Sequence, residues 1–256
     1  MDYMCMIVGE VHHVANTKIL VAPMRRGHQL TVYQNQVNMT NPTAMILPFP
    51  YGNKGAKLID LSSYPQIFDD LSQVFVQFEY LTNSYGSRGV SRGMIAVHQI
   101  GSYSVSIVPT INDFERLQNQ VFGLDPNLFE MLKGKYPDHA GYIVCLMNQN
   151  AKFHPIAYVT RRPQAQQLFV PTYHYHGHVE THPDWDHEIY VFNLVNGQHA
   201  ISQMSGVKTH HVINAHDWSR IRFDLLPPIT TCHSLSRFKI NSKYDRNHDL
   251  IMEIKS

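Results

Sequence analysis

The sequence predicts a β-rich α+β protein: a mostly antiparallel sheet, sandwich or barrel with two to three short helices. Three observations carry this. The first half divides into short runs rich in Val, Ile, Tyr and Thr, punctuated by Gly, Pro and Asn, the composition of strands and turns. Only a few stretches repeat apolar residues at helical spacing. Hydrophobic residues make up 43% of the chain against 16% charged, a balance that supports a core and excludes a chain disordered throughout. A single β-rich domain over residues 1–256 is the economical organisation, with a subdivision near residue 150 as the alternative.

In order, strands are expected at Cys5 to Val14, Lys18 to Pro23, Gln29 to Met39 and Ala44 to Pro48. Pro65 to Val76 carries Ile67, Phe68, Leu71, Val74 and Phe75 at helical spacing, with Ser62 and Ser63 upstream as cap candidates. Tyr80 to Arg92 is polar and glycine-bearing and reads as a loop. Gly93 to Pro109 reads as two strands joined at Gly101-Ser102, with His98 near the end of the first. Helices are expected at Asn112 to Phe122, where Asp113 and Glu115 suit the N-terminal end of the dipole, and at Asn127 to Lys135. Strands resume at Gly141 to Met147, Ile156 to Thr160, Leu168 to His176 and Glu188 to Val195. Beyond His216 the chain reads as loop until a last apolar segment, Leu250 to Ile254.

The formal charge is +1, from 21 basic and 20 acidic side chains, which leaves no electrostatic footprint for a polyanion, so nucleic acid is not an expected partner. Arg25-Arg26 and Arg161-Arg162 read as isolated, solvated pairs. Cys5, Cys145 and Cys232 form no Cys-x-x-Cys pair and favour a reducing compartment over a disulfide framework. No signal peptide is apparent, and no apolar stretch reaches the roughly eighteen residues of a membrane helix. The expected location is the cytoplasm, or a larger particle assembled there, with a homo- or hetero-oligomer left open.

Chemistry concentrates in His174-Tyr175-His176-Gly177-His178-Val179-Glu180-Thr181-His182-Pro183-Asp184-Trp185-Asp186-His187, which holds five of the chain's 17 histidines. In a strand from Leu168 to His176, His174 and His176 emerge on one face because side-chain direction repeats every two residues. Two imidazoles followed by a carboxylate can hold a transition metal. The candidate ligands are His174, His176 and Glu180, with His210 as a fourth ligand or neighbour and Asp186 and His187 as rivals. Zinc suits a closed tetrahedral set; iron or manganese suits one with open positions. The competing reading is a set of solvated histidines on an exposed edge strand.

Two family resemblances accompany these residues. Thr17-Lys18-Ile19-Leu20-Val21, Leu30-Thr31-Val32-Tyr33, Met45-Ile46-Leu47-Pro48-Phe49-Pro50, Val105-Ser106-Ile107-Val108, Gly141-Tyr142-Ile143-Val144, His154-Pro155-Ile156-Ala157 and Phe169-Val170-Pro171 follow one another in an order that resembles an uncharacterised bacterial family, the domain of unknown function two-three-three-zero. That family implies no activity. His174, His176 and Glu180 also resemble the first cupin motif, His-x-His-x-x-x-Glu, and His210 with Asn214 resembles the tail of the second. Here Leu168 replaces the glycine that precedes the first motif, and the proline before the second is missing. The function these residues suggest is metal binding with hydrolase or oxygenase chemistry. The alternative is a non-enzymatic structural or assembly protein, such as a subunit of a larger particle.

Overall fold

The computed structural model describes residues 6–9, 11–39, 41–76, 98–100, 103–117, 126–147, 154–173, 175, 186–195, 207–214, 218–230, 233–241 and 248–254. Strands dominate. A five-stranded antiparallel sheet is formed by β1 (Met6–Val8), β4 (Thr43–Phe49), β6 (His98–Ile100), β7 (Tyr103–Val108) and β8 (Gly141–Met147), in the order β1-β4-β8-β7-β6. A seven-stranded sheet is formed by β2 (Val11–Met24), β3 (His28–Met39), β5 (Ala56–Ile59), β9 (Ile156–Arg161), β11 (Asp186–Phe192), β12 (Val207–Asn214) and β13 (Ser234–Asn241), in the order β12-β13-β11-β2-β3-β9-β5. Its pairs are antiparallel except β2 with β11, which run parallel with Ile19 opposite Ile189. β10 (Gln167–Val170) pairs with β14 (Leu250–Glu253) in a small third sheet. Among the described residues the α-helices are α1 (Ile67–Val76) and α2 (Pro126–Lys135).

The two large sheets enclose one core. Ile19, Val21, Tyr33, Ile189 and Phe238 of the larger sheet meet Met45, Leu47, Val105, Ile143 and Cys145 of the smaller. Each sheet is also covered on its outer face. Ala44, Ile46, Tyr142 and Val144 lie under Leu128 and Leu132 of α2 and under Phe114. Leu20, Val32, Tyr190 and Phe192 lie under Ile67, Phe68 and Leu71 of α1 and beside Ile221 and Leu226. This layering explains why β4 (TAMILPF) and β8 (GYIVCLM) read as continuous apolar runs rather than alternating ones: both of their faces are buried. Strands from before and after residue 150 share both the larger sheet and the core, as where β9 lies between β3 and β5.

Several boundaries differ from the sequence expectation, each for a local reason. The run from Cys5 to Val14 is interrupted because Gly9 takes φ of +125°, separating β1 from β2. Lys18 to Pro23 is only part of β2, which bulges between Ala15 and Lys18, where Asn16 takes φ of +53°. The bulge shifts the strand's parity by one, so Val14 and Ile19 both face the core between the sheets. Ser62 does not cap α1; its N–H donates to Asp60 in a turn, and the helix opens with Asp69 and Asp70 donating to the Gln66 carbonyl. The helix expected at Asn112 to Phe122 is a 3-10 turn, Ile111–Arg116, after which Leu117 is extended. There Asp113 bonds the Thr110 hydroxyl and the Arg116 guanidinium, and the backbone bonds Asp113 to Thr110 and Leu117 to Phe114 span three residues. His98 begins β6 instead of ending it. β5, β12 and β13 are strands that periodicity did not find, and β13 runs through the stretch read as loop beyond His216.

Candidate functional site

The strand expected from Leu168 to His176 stops at Val170. Pro171 has no N–H to offer a ladder, and the N–H groups of Thr172 and Tyr173 both donate to Asp249 Oδ1 at 2.8 Å. The same-face argument for His174 and His176 therefore loses its strand, and His174, His176 and Glu180 lie outside the described residues. Tyr175, between the two histidines, is buried, and its carbonyl accepts a 3.0 Å bond from the Ile7 N–H at the edge of β1. His210 sits in β12 opposite Phe238. Asp186 and His187 are consecutive residues of β11, with no turn between them to pair one with the other. Among the described residues no group of three or more His, Cys, Asp and Glu side chains could hold a metal ion.

His187 is fully buried, opposite Ile240 on one side and Thr17 on the other. Burial pushes its imidazole down to about 3, so it is neutral at physiological pH. The next residue, Glu188, begins a polar row on the outer face of the larger sheet. It stands in register between Lys18 and Lys239. Its carboxylate forms an ion pair with Arg237, a residue of the neighbouring β13, and accepts a 3.0 Å bond from the Tyr190 hydroxyl. The Arg237 guanidinium lies over the rings of Phe75 and Tyr190, 5.8 and 5.9 Å from their centres. The Tyr190 ring packs on Phe68 and Phe75. Burial, with Glu188 beside it, pushes the Tyr190 hydroxyl above its ordinary range. Lys18 reaches Asp69 at 3.8 Å from below.

This row fixes α1 onto the sheet through Phe68 and Phe75. A carboxylate held by a guanidinium and a phenol is fixed in its geometry, which suits positioning. Sequence reading missed it because Pro227-Pro228 and the polar run near Asn241 to Asn247 made the stretch that holds β13 look like loop. The signal present was Leu235, Phe238 and Ile240, which supply apolar side chains to both faces of one strand.

A second polar knot ties the C-terminal strand to the outer helix. The Asp249 carboxylate receives the Thr172 and Tyr173 N–H groups and, at 2.7 Å, the Tyr136 hydroxyl. Burial raises its pKa above the usual carboxylate range, opposed by these donors and by Lys135. Lys135 lies 4.2 Å from the centre of the Tyr173 ring. All of these groups are satisfied by one another. The arrangement fastens layers together.

The chain is similar to baculovirus P35, with a TM-score of 0.51 at 13% sequence identity, covering 96% of this chain and 98% of that one. It is similar to P35 in the caspase-8/P35 complex, with a TM-score of 0.50 at 12% identity over 94% and 96% of the two chains. It is also similar to a mutated baculovirus P35 after caspase cleavage, with a TM-score of 0.50 at 14% identity over 95% and 98%. At these identities the likeness is one of fold. No family model matches the chain. No helix among the described residues is long and apolar enough to cross a membrane.

Proposed function

We propose that this chain is a non-enzymatic protein whose partner is a protease. The observation that supports this reading is the end-to-end fold similarity to baculovirus P35, 96% of one chain on 98% of the other. P35 is itself found in complex with caspase-8 and after caspase cleavage. A fold hosts many functions, so the partner has to be tested directly. The purified full-length chain is incubated at equimolar ratio with caspase-8 and, separately, with representative serine and metalloproteases. Residual protease activity, co-elution on size exclusion and the mass of any cleavage products are recorded. Stoichiometric loss of one protease's activity, with co-elution and a single cut, is the expected result. Digestion at many sites, or no complex with any of them, rejects the proposal.

A second reading keeps the metal site at His174, His176 and Glu180, with His210 and the rivals Asp186 and His187. It is favoured by the anchoring of Tyr175, which pins the histidine-bearing segment to β1. Metal content after loading with zinc, iron and manganese tests it. Near-stoichiometric metal that disappears in the His174→Ala, His176→Ala double variant supports the site, and hydrolase or oxygenase assays would then follow. No metal in either protein removes it.

A further inference from the structure

The two arginine pairs, 135 residues apart in sequence, come together at one corner of the larger sheet. The turn between β2 and β3 holds Arg25, Arg26 and Gly27. β9 ends on Arg161, whose guanidinium donates to the Arg26 carbonyl at 3.2 Å, and the Arg162 N–H donates to the Gly27 carbonyl at 3.0 Å. Beside this turn a cleft of about 370 Å³ is lined by Arg25, His28, Lys54 and Lys57, with Met24 and Val159 on its apolar part. Arg25, Lys54 and Lys57 are exposed and His28 is half-buried. Among the described residues none of these four pairs with a carboxylate, and no acidic side chain lines the cleft.

A chain of net charge +1 that gathers like charges around one concavity incurs mutual repulsion there. The concavity also focuses the field toward an incoming anion. The size sits at the small end of ligand clefts, and the combination of cations with an apolar wall fits a charged head on an apolar body. Lysine, arginine and histidine are the donors phosphate takes. We propose that this cleft binds a small organic phosphate, its phosphate group among Arg25, His28, Lys54 and Lys57 and its apolar part against Met24 and Val159. The inference stands apart from the protease reading and does not depend on it.

Phenyl phosphate is the probe, titrated calorimetrically into the full chain at low salt, with inorganic phosphate and citrate in parallel. The variants are Lys54→Glu with Lys57→Glu, its milder form Lys54→Gln with Lys57→Gln, and a charge-matched control, Arg116→Glu with Lys133→Glu, in exposed ion pairs elsewhere. Saturable binding of phenyl phosphate, tighter than inorganic phosphate, is expected. It should weaken at least about tenfold in the Glu double, less in the Gln double, and not in the control. Absence of binding up to about 10 mM, equal binding in all variants, or tighter binding of citrate than of phenyl phosphate overturns the proposal. Matching far-ultraviolet circular dichroism shows that the variants are folded.

Discussion

His187 is neutral because it is buried, and that makes stability depend on pH in a defined direction. Its folded value, about 3, lies below the ordinary 6.5, so the unfolded chain binds the extra proton first. Its contribution is complete above about pH 6.5 and is lost as pH falls from there toward 3. By pH 5 the loss is about 2 kcal/mol. A His187→Leu variant, compared with wild type by urea unfolding at pH 7.5 and 5, should show a shallower fall by roughly that amount; parallel pH dependences would refute the assignment. Arg237 makes a second case. Arg237→Ala leaves the Glu188 carboxylate, 11% exposed, without its main partner, and should cost about 2 to 3 kcal/mol, below the full cost of a dry pair because solvent reaches both groups. Arg237→Ala in a Glu188→Gln background should cost distinctly less, and equal costs in the two backgrounds would mean the pair does not couple. Neither role was legible in the sequence. His187 reads as a possible ligand until its burial is known, and Glu188 has no visible partner until β13 is placed beside β11.

Among the elements, those buried on both faces were the most legible. β4, β8 and β9 announce themselves as unbroken apolar runs, and α1 and α2 by helical spacing. β12 and β13 were not, because Lys239, Arg237 and His211 lie where the outer face of the sheet is only partly covered, so their apolar residues do not alternate cleanly. The bulge in β2 was invisible for another reason: it depends on Asn16 adopting a left-handed backbone, which a side chain beyond Cβ merely tolerates. Asn16 Nδ2 also donates to Gln36 Oε1 across the pair at 2.8 Å. Asn16→Val should therefore destabilise by about 1 to 2 kcal/mol, while Asn16→Gly stays within a few tenths of wild type. A thermal melt in which Val is tolerated as well as Gly would show that the bulge is not held by this residue. At the other knot, Asp249→Ala orphans two N–H groups and the Tyr136 hydroxyl, with an expected cost of about 3 kcal/mol. Undiminished hydrogen-exchange protection of β14 in that variant would contradict the role given to it.

At the scale of the whole molecule, the β-rich α+β class was readable from composition and punctuation alone. The stacking of two sheets between two helical covers was not, since it depends on pairings across more than a hundred residues. The candidate metal cluster was read from a strand that Pro171 and Asp249 end early, and His174, His176 and Glu180 lie outside the described residues. Because β9 sits between β3 and β5, and β11 beside β2, a fragment ending at residue 150 lacks strands inside its own larger sheet. Expressed alone, residues 1–150 should show no cooperative thermal transition; a sharp melt from that fragment would mean the half folds independently.

The parallel pairing of β2 with β11, itself flanked by β13, sets against each other two segments that lie far apart in the chain and are synthesised far apart in time. The β2–β3 hairpin can form within seconds of translation, yet the side of β2 that awaits residues 187–191 stays unpaired until those residues have been made. During that interval it is a nascent template for foreign strands. Yield in a cell should thus follow translation speed and chaperone supply more closely than the stability of the finished molecule does.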